Sequence, residues 1–131
     1  MLVRQLVSSG SPFEATIGFS RSVRIGNRVV VSGTAPIFPE GVECPDDAEA
    51  QARRCFAIVE DALREAGATL ADVVRTRMYL TGTEHAEAVS AVHGELFGDV
   101  RPAATMIVVS GFLNPRWVVE VEAEAELTAG G

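Results

Sequence analysis

From Val119 to Glu126 the chain reads VEVEAEAE, valine or alanine at every odd position and glutamate at every even one. A period of two belongs to an extended strand, whose successive side chains leave opposite faces, and on a helix the same residues would scatter around the circumference. The chain must therefore contain a sheet with one face made to be covered and one that carries carboxylates. The strand around this run is read as residues 117–127.

The rest of the pattern says how that sheet is completed. Residues 23–25 and 29–32 are β-branched runs around Gly26-Asn27, two residues that tolerate positive φ, which predicts a hairpin. Pro36, Pro39, Gly41 and Pro45 mark a loop, and Asp46 or Asp47 follows as a helix N-cap. Ala48, Ala52, Cys55, Phe56, Val59, Ala62, Leu63 and Ala66 then recur at three- and four-residue spacing. Gln51, Arg53, Arg54, Glu60, Asp61 and Arg64 are assigned to the solvated side, and Gly67 ends the helix. A strand at residues 73–80, a helix at 84–97 closed by Gly98, and a strand at 103–110 come next, with a short extra strand at 3–7. The order β-β-α-β-α-β-β has no internal repeat and no linker. It predicts one α+β domain over residues 1–131 with two helices on one sheet face. Residues 29–31 and 107–109 are apolar at consecutive positions, so both sides of those strands call for burial, and the bare face is expected to meet another copy of the chain.

Charge and composition narrow the function. The 131 residues carry a net charge of -7, and no basic stripe interrupts that field, which argues against a nucleic-acid partner. No segment approaches the ~18 apolar residues of a membrane span, and the start, MLVRQLVSSG, is too short in apolar residues for a signal peptide; the expectation is a cytoplasmic protein without a membrane partner. Cys44 and Cys55 lack CxxC spacing, and His85 and His93 form no HExxH, so reduced thiols, no metal and no other cofactor are expected. GxSxG, P-loop and GxGxxG motifs are absent.

Several residues stand out as chemistry. Glu120, near the start of the alternating strand and beside Trp117, is a candidate cleft carboxylate for proton transfer, whereas Glu122, Glu124 and Glu126 read as a solvated face. Arg75, Arg77 and Tyr79 share one side of their strand, either as partner-facing ion pairs or as a clamp for a carboxylate. Ser32-Gly33-Thr34 ends a strand with hydroxyls and backbone N–H groups that either bind an anion or close a turn. His93, one turn beyond Val89, is either a packed, hydrogen-bonded histidine or a titratable ligand contact.

Taken in order, Ile17-Gly18, Gly26-Asn27, Val31-Ser32-Gly33, the helix bearing Gln51, Ala66-Gly67-Ala68 with Asp72-Val73-Val74, Phe97, Arg101-Pro102-Ala103 and Val119-Glu120-Val121-Glu122-Ala123 resemble the Rid superfamily, the reactive intermediate deaminases also called the YjgF family. The resemblance implies a chorismate-mutase-like α+β fold and a homotrimer with ligand clefts between subunits. It further implies a water attacking an iminium carbon, helped by Glu120 and by backbone groups near Thr105. In members that hydrolyse 2-imino and enamino acids the third residue of the segment here reading Pro102-Ala103-Ala104-Thr105 is an arginine that grips the substrate carboxylate, and this chain has Ala104. Thr34 replaces a usual glutamine, Phe19-Ser20 a proline-tyrosine, Ser90 an asparagine and His93 a tyrosine, and the segment after Ser20 is one residue short. Ser32, Gly33, Thr105 and Glu120 match. The expected site is thus Glu120 and Thr105 for chemistry, with Phe19, Ser32, Gly33, Thr34, Arg77, Ser90, His93 and Ala104 around a small-molecule ligand, and Arg77, Arg21 or Arg24 as a substitute cation. Two functions remain open: an enzyme for an imine, enamine or carbonyl compound with little activity on simple 2-imino acids, or a non-catalytic binding or interaction protein. A single-strand ribonuclease, an older family label, is disfavoured by the acidic charge.

Overall fold

The computed structural model of the chain describes residues 3–128; the two ends of the expected 1–131 domain lie outside the described residues. The alternating run forms β6 (Val119–Glu126) and sits inside a six-stranded sheet. Its neighbours are β3 (Arg28–Thr34) and β4 (Val73–Leu80), both antiparallel to it. Beyond β3 lie β2 (Ser22–Ile25) and β1 (Arg4–Val7), and beyond β4 the parallel edge strand β5 (Ala103–Val108), giving the order β1-β2-β3-β6-β4-β5. The helices α1 (Ala48–Glu65) and α2 (Ala86–Phe97) cover one face. Against them the odd residues of β6, Val119 to Ala125, are fully buried with Phe56, Val59, Leu63, Val89, Val92 and Phe97. The fold is thus the expected α+β one, with both helices on the same side.

Local chemistry fixes the ends of the elements. The Gly26-Asn27 pair joins β2 to β3 as a two-residue turn with Ile25 opposite Arg28; only Gly26 takes positive φ (+59°), as a hairpin turn with glycine first requires. Asp47 caps α1 by accepting from the Ala50 N–H at 3.0 Å. At the other end Gly67 (φ +90°) donates to the Arg64 carbonyl and Ala68 to that of Leu63, the paired bonds that close a helix through a left-handed residue. Arg24 adds its Nη1 to the Ala66 carbonyl at 2.7 Å. That arginine is held by the helix end.

Four expectations need correction. Gln51, assigned to the solvated side of α1, is completely buried. It donates to the carbonyls of Pro45 (2.8 Å) and Arg116 (3.0 Å) and accepts from the Val118 N–H (2.9 Å), so an amide that looks polar by periodicity serves as an internal cap for three backbone groups. Helix α2 begins after a 3-10 turn at Thr83–His85, and Gly98 is not its left-handed terminator (φ -57°). The chain reverses at Arg101 (φ +58°), whose N–H returns to the Phe97 carbonyl at 2.8 Å just before Pro102. Strands β5 and β6 are shorter than expected, ending at Val108 and starting at Val119, because the segment between them is a loop that includes Trp117. A π turn at Glu14–Gly18, closed by Phe19 N–H to the Glu14 carbonyl (2.9 Å), had no counterpart in the sequence reading.

Candidate functional site

The face of the sheet without helices is built from rows of side chains across the strands. Tyr79, Glu120 and Ile107 occupy one row, Arg77, Glu122 and Thr105 the next, and Arg75, Glu124 and Ala103 the third. The third row continues through Val30, Val23 and Leu6 to the far edge. This follows from the period of two: Thr76, Met78 and Leu80 point into the core, so Arg75, Arg77 and Tyr79 do not.

The three glutamates of this face have different surroundings. Glu124 is 18% exposed and draws in three guanidinium groups, Arg28 at 2.5 Å, Arg75 at 3.4 Å and Arg77 at 3.8 Å. Glu122 accepts the Tyr79 hydroxyl, a contact that pushes the phenol upward in pKa. The expected solvated face is therefore an ion-pair and hydrogen-bond lattice, with only Glu126 exposed. Arg77 belongs to that lattice. Glu120 is half-buried, and among the described residues its carboxylate has no hydrogen-bond or salt-bridge partner. Burial raises its pKa above the usual carboxylate value, Arg21 opposes that shift, and Glu122 adds to it.

Arg21 is the cation that acts electrostatically on Glu120, ahead of Arg77 and Arg24. Its Nη2 donates to the Gly33 carbonyl at 2.5 Å, and its guanidinium lies 5.8 Å from the centre of the Phe19 ring. Ser32 closes the same corner, its Oγ donating to the Ser20 carbonyl at 2.6 Å. The π turn, the Ser32-Gly33 strand end and the start of β6 thereby bring Phe19, Ser32, Gly33 and Glu120 around Arg21. Thr34, beside them, is buried and turns its Oγ1 onto the Ser32 carbonyl (2.8 Å).

Ser90, His93 and Ala104, with Gly94, Met78 and Met106, surround a separate cavity of about 300 Å³ between α2 and the edge strand β5; Thr105 borders it as well, while the register places it in the open-face row of Arg77 and Glu122. His93 is on the helix-covered side of the sheet. Its Nε2 is 2.7 Å from the Thr76 Oγ1, and its ring lies 4.7 Å from that of Phe97 and 5.9 Å from that of Phe56. Burial lowers its pKa, which favours the neutral ring. Because the ordinary value is 6.5 and the folded one lies below it, the unfolded chain gains protons first as the pH falls. Stability contributed by neutral His93 is therefore full above about pH 6.5 and declines as the solution is acidified through that range. A His93→Asn variant should lose part of the drop in stability between pH 7.5 and 5.5, as read by urea denaturation; an unchanged drop would mean that His93 does not cause it.

Within one protomer the two groups do not meet. Strand β3, carrying Ser32, is three places from β5, carrying Ala104, so at ~4.8 Å per strand their backbones are ~14 Å apart. Among the described residues no cluster of three or more His, Cys, Asp or Glu side chains is placed to hold a metal ion. Burial keeps both thiols protonated, Cys55 far above and Cys44 above the usual value. No helix is long and apolar enough to cross a membrane.

Comparison with known proteins follows the same outline. Residues 10–127 match the family model described as endoribonuclease L-PSP. The chain is 40% identical over 119 residues to an uncharacterised protein of Streptomyces coelicolor, covering 91% of this chain and 89% of that one. It is 34% identical to a RutC family protein of Pyrococcus abyssi, covering 82% of this chain and 84% of the relative. Among solved structures, Rv2704 from Mycobacterium tuberculosis, described as a member of the YjgF/YER057c/UK114 family, superposes with a TM-score of 0.87 at 46% identity, covering 95% of this chain and all of that one (100%).

Proposed function

The chain belongs to the endoribonuclease L-PSP family, that of the YjgF and RutC proteins, and from that premise we propose that it is a homotrimer that binds a small imine, enamine or carbonyl compound in a cleft between two copies. The observation that carries this reading is Glu120: among the described residues it is the one of β6's first three open-face glutamates without a hydrogen-bond or salt-bridge partner, and burial favours its protonated form. A carboxylate with a raised pKa serves first as base and then as acid. In the hydrolytic cycle Glu120 takes a proton from water as the water oxygen bonds to the iminium carbon, then returns that proton to the nitrogen of the carbinolamine. The C–N bond breaks, the hydroxyl proton passes to the departing ammonia, and the carbonyl forms, so iminium and one water give carbonyl and ammonium.

Two features support the assembly. Leu6, Val30 and Ile107 remain 61%, 41% and 45% exposed on the bare sheet face, an apolar area that an assembly interface accounts for. Ser32 of the Arg21 corner and Ala104 of the edge cavity are also ~14 Å apart in one protomer, and in the proposed trimer a neighbouring copy brings one against the other. Ala104 offers no charge to a substrate carboxylate, and loss of a bidentate guanidinium contact is worth roughly 1.5–3 kcal/mol, a tenfold to hundredfold weakening. Light scattering should give three chains per particle. An amino-acid oxidase assay that generates 2-iminopropionate should show slow hydrolysis, with faster turnover for imines lacking a carboxylate beside the reacting carbon. A monomer at micromolar concentration would remove the cleft, and binding without turnover of any imine or enamine would leave a binding protein.

A further inference from the structure

A cavity of about 550 Å³ lies between the N-terminal loop of residues 8–13 and the outer side of α1, away from Glu120's open face. Val7 and Ala62 form its buried base, and Phe13, Ile37 and Ile58 supply further apolar wall. Into this apolar space Arg21 brings a guanidinium that the protein satisfies only in part. Nη2 reaches the Gly33 carbonyl, but Nε is buried and has no acceptor among the described residues. Glu14 and Glu120 act on it through space, yet neither is within salt-bridge distance, and Glu14 is already occupied by the Ser9 hydroxyl (2.6 Å) and N–H (2.9 Å). The Gly33 carbonyl and the through-space attraction of Glu14 and Glu120 offset only part of the hydration lost on burial, which leaves the guanidinium with capacity for an anion.

The loop beside it is equipped to help. Ser8 Oγ accepts from the Gly10 N–H (3.0 Å) and Ser11 Oγ from the Phe13 N–H (3.3 Å). Neither bond uses the hydroxyl proton, so both hydroxyls keep a donor for a ligand. The remaining charged groups of the cavity decide how much negative charge it takes. Arg54 also lines it but gives its Nε to the Ile37 carbonyl (2.6 Å), and the exposed carboxylates of Asp61 and Glu65 stand on its rim. Two positive and two negative side chains leave no excess for a dianion, while the planar fork of Arg21 matches one carboxylate.

We propose that this cavity is a second ligand site, taking a small monocarboxylate with an apolar body, its carboxylate on Arg21 and the Ser8 and Ser11 hydroxyls and its chain along Phe13, Ile37 and Ile58. The site shares Arg21 with the corner assigned to Glu120, so Ile58→Trp, which leaves Arg21 in place, is the variant that separates the two. Hexanoate and its neutral isostere hexanamide test it directly by NMR titration of the full-length chain. Hexanoate should shift the resonances of Val7, Phe13 and Ile37 and bind at least tenfold more tightly than hexanamide. Arg21→Gln should bring hexanoate down to the affinity of the amide. Ile58→Trp, on the half-buried outer side of α1, should fill the cavity and abolish binding with an unchanged melting temperature. Equal affinity for acid and amide, no saturation by millimolar hexanoate, or shifts centred on Tyr79 and Glu120 that survive Ile58→Trp would each overturn the proposal while leaving the role of Glu120 standing. Loss of turnover in Glu120→Gln with hexanoate binding intact would separate the two sites in the opposite sense.

Discussion

Glu120→Gln should lower turnover of an imine or enamine substrate by roughly 10²–10⁴-fold, the usual contribution of a positioned proton-transfer group, while changing ligand affinity little. Glutamine keeps the shape and hydrogen-bonding reach of the side chain and removes only its capacity to take and return a proton. The same substitution should make the protein more stable at neutral pH. Glu120 is raised in pKa by burial, with a further push from Glu122 and an opposing pull from Arg21. The folded state therefore binds this proton more tightly than the unfolded state, whose carboxylate titrates near 4.5. Ionisation of Glu120 costs stability at pH values above the folded pKa, and the cost fades as the pH falls through the folded value toward the unfolded one. Thermal melts of the variant should lie above wild type at pH 7 and converge with it well below pH 4.5. A group that is destabilising where it stands and needed for turnover is the signature of function set against stability. Unchanged turnover, or a lower melting temperature at pH 7, would make Glu120 a structural residue.

The fold was legible because its strongest signal, the alternation of β6, is a statement about one strand with two unlike faces, and periodicity reports faces directly. The hairpin at Gly26-Asn27, the cap at Asp47 and the stop at Gly67 were legible for a related reason: each depends on what one residue's backbone or side chain can do locally. What periodicity cannot see is where a polar side chain finds its partners. Gln51 carries the pattern of a solvated residue, yet its partners come from residues 45, 116 and 118, two of them more than sixty positions away. Glu124 had the same pattern as Glu120 and Glu122, and only the register of β3 and β4 against β6 distributes Arg28, Arg75, Arg77 and Tyr79 among them. His93 and Glu120 were expected around one cleft between subunits; within a protomer the alternation of β4 puts the histidine's partner Thr76 on one face and Glu120's neighbour Tyr79 on the other. Arg21 entered only as one of three substitute cations, because its significance depends on a turn at Glu14–Gly18 that no propensity announces.

The buried amide of Gln51 carries the second large effect. Gln51→Leu keeps the volume and removes all three hydrogen bonds at once, leaving the carbonyls of Pro45 and Arg116 and the N–H of Val118 without their partner beside a fully buried side chain. An unsatisfied buried group costs about 1–3 kcal/mol, and some relaxation of the loop toward water is expected, so the variant should lose about 3–5 kcal/mol in urea unfolding, a large share of a small domain's stability. The effect should not stop at stability. Pro45 ends the loop that leads into α1, and residues 116–118 lead into β6, so the same amide ties the entry of the helix to the start of the strand that carries Glu120. Arg116 reinforces the tie with Nη2 on the Cys44 carbonyl (2.7 Å), but it acts from an exposed position and cannot replace a buried partner. Hydrogen exchange at the Val118 amide should accelerate far more in Gln51→Leu than exchange at the Met78 amide in the middle of β4, and turnover should fall even where the variant remains folded, because β6 then starts from an unanchored end. A loss below 1 kcal/mol with Val118 still protected would mean that water or the relaxed loop satisfies these groups, and that Glu120 is positioned by its strand neighbours alone.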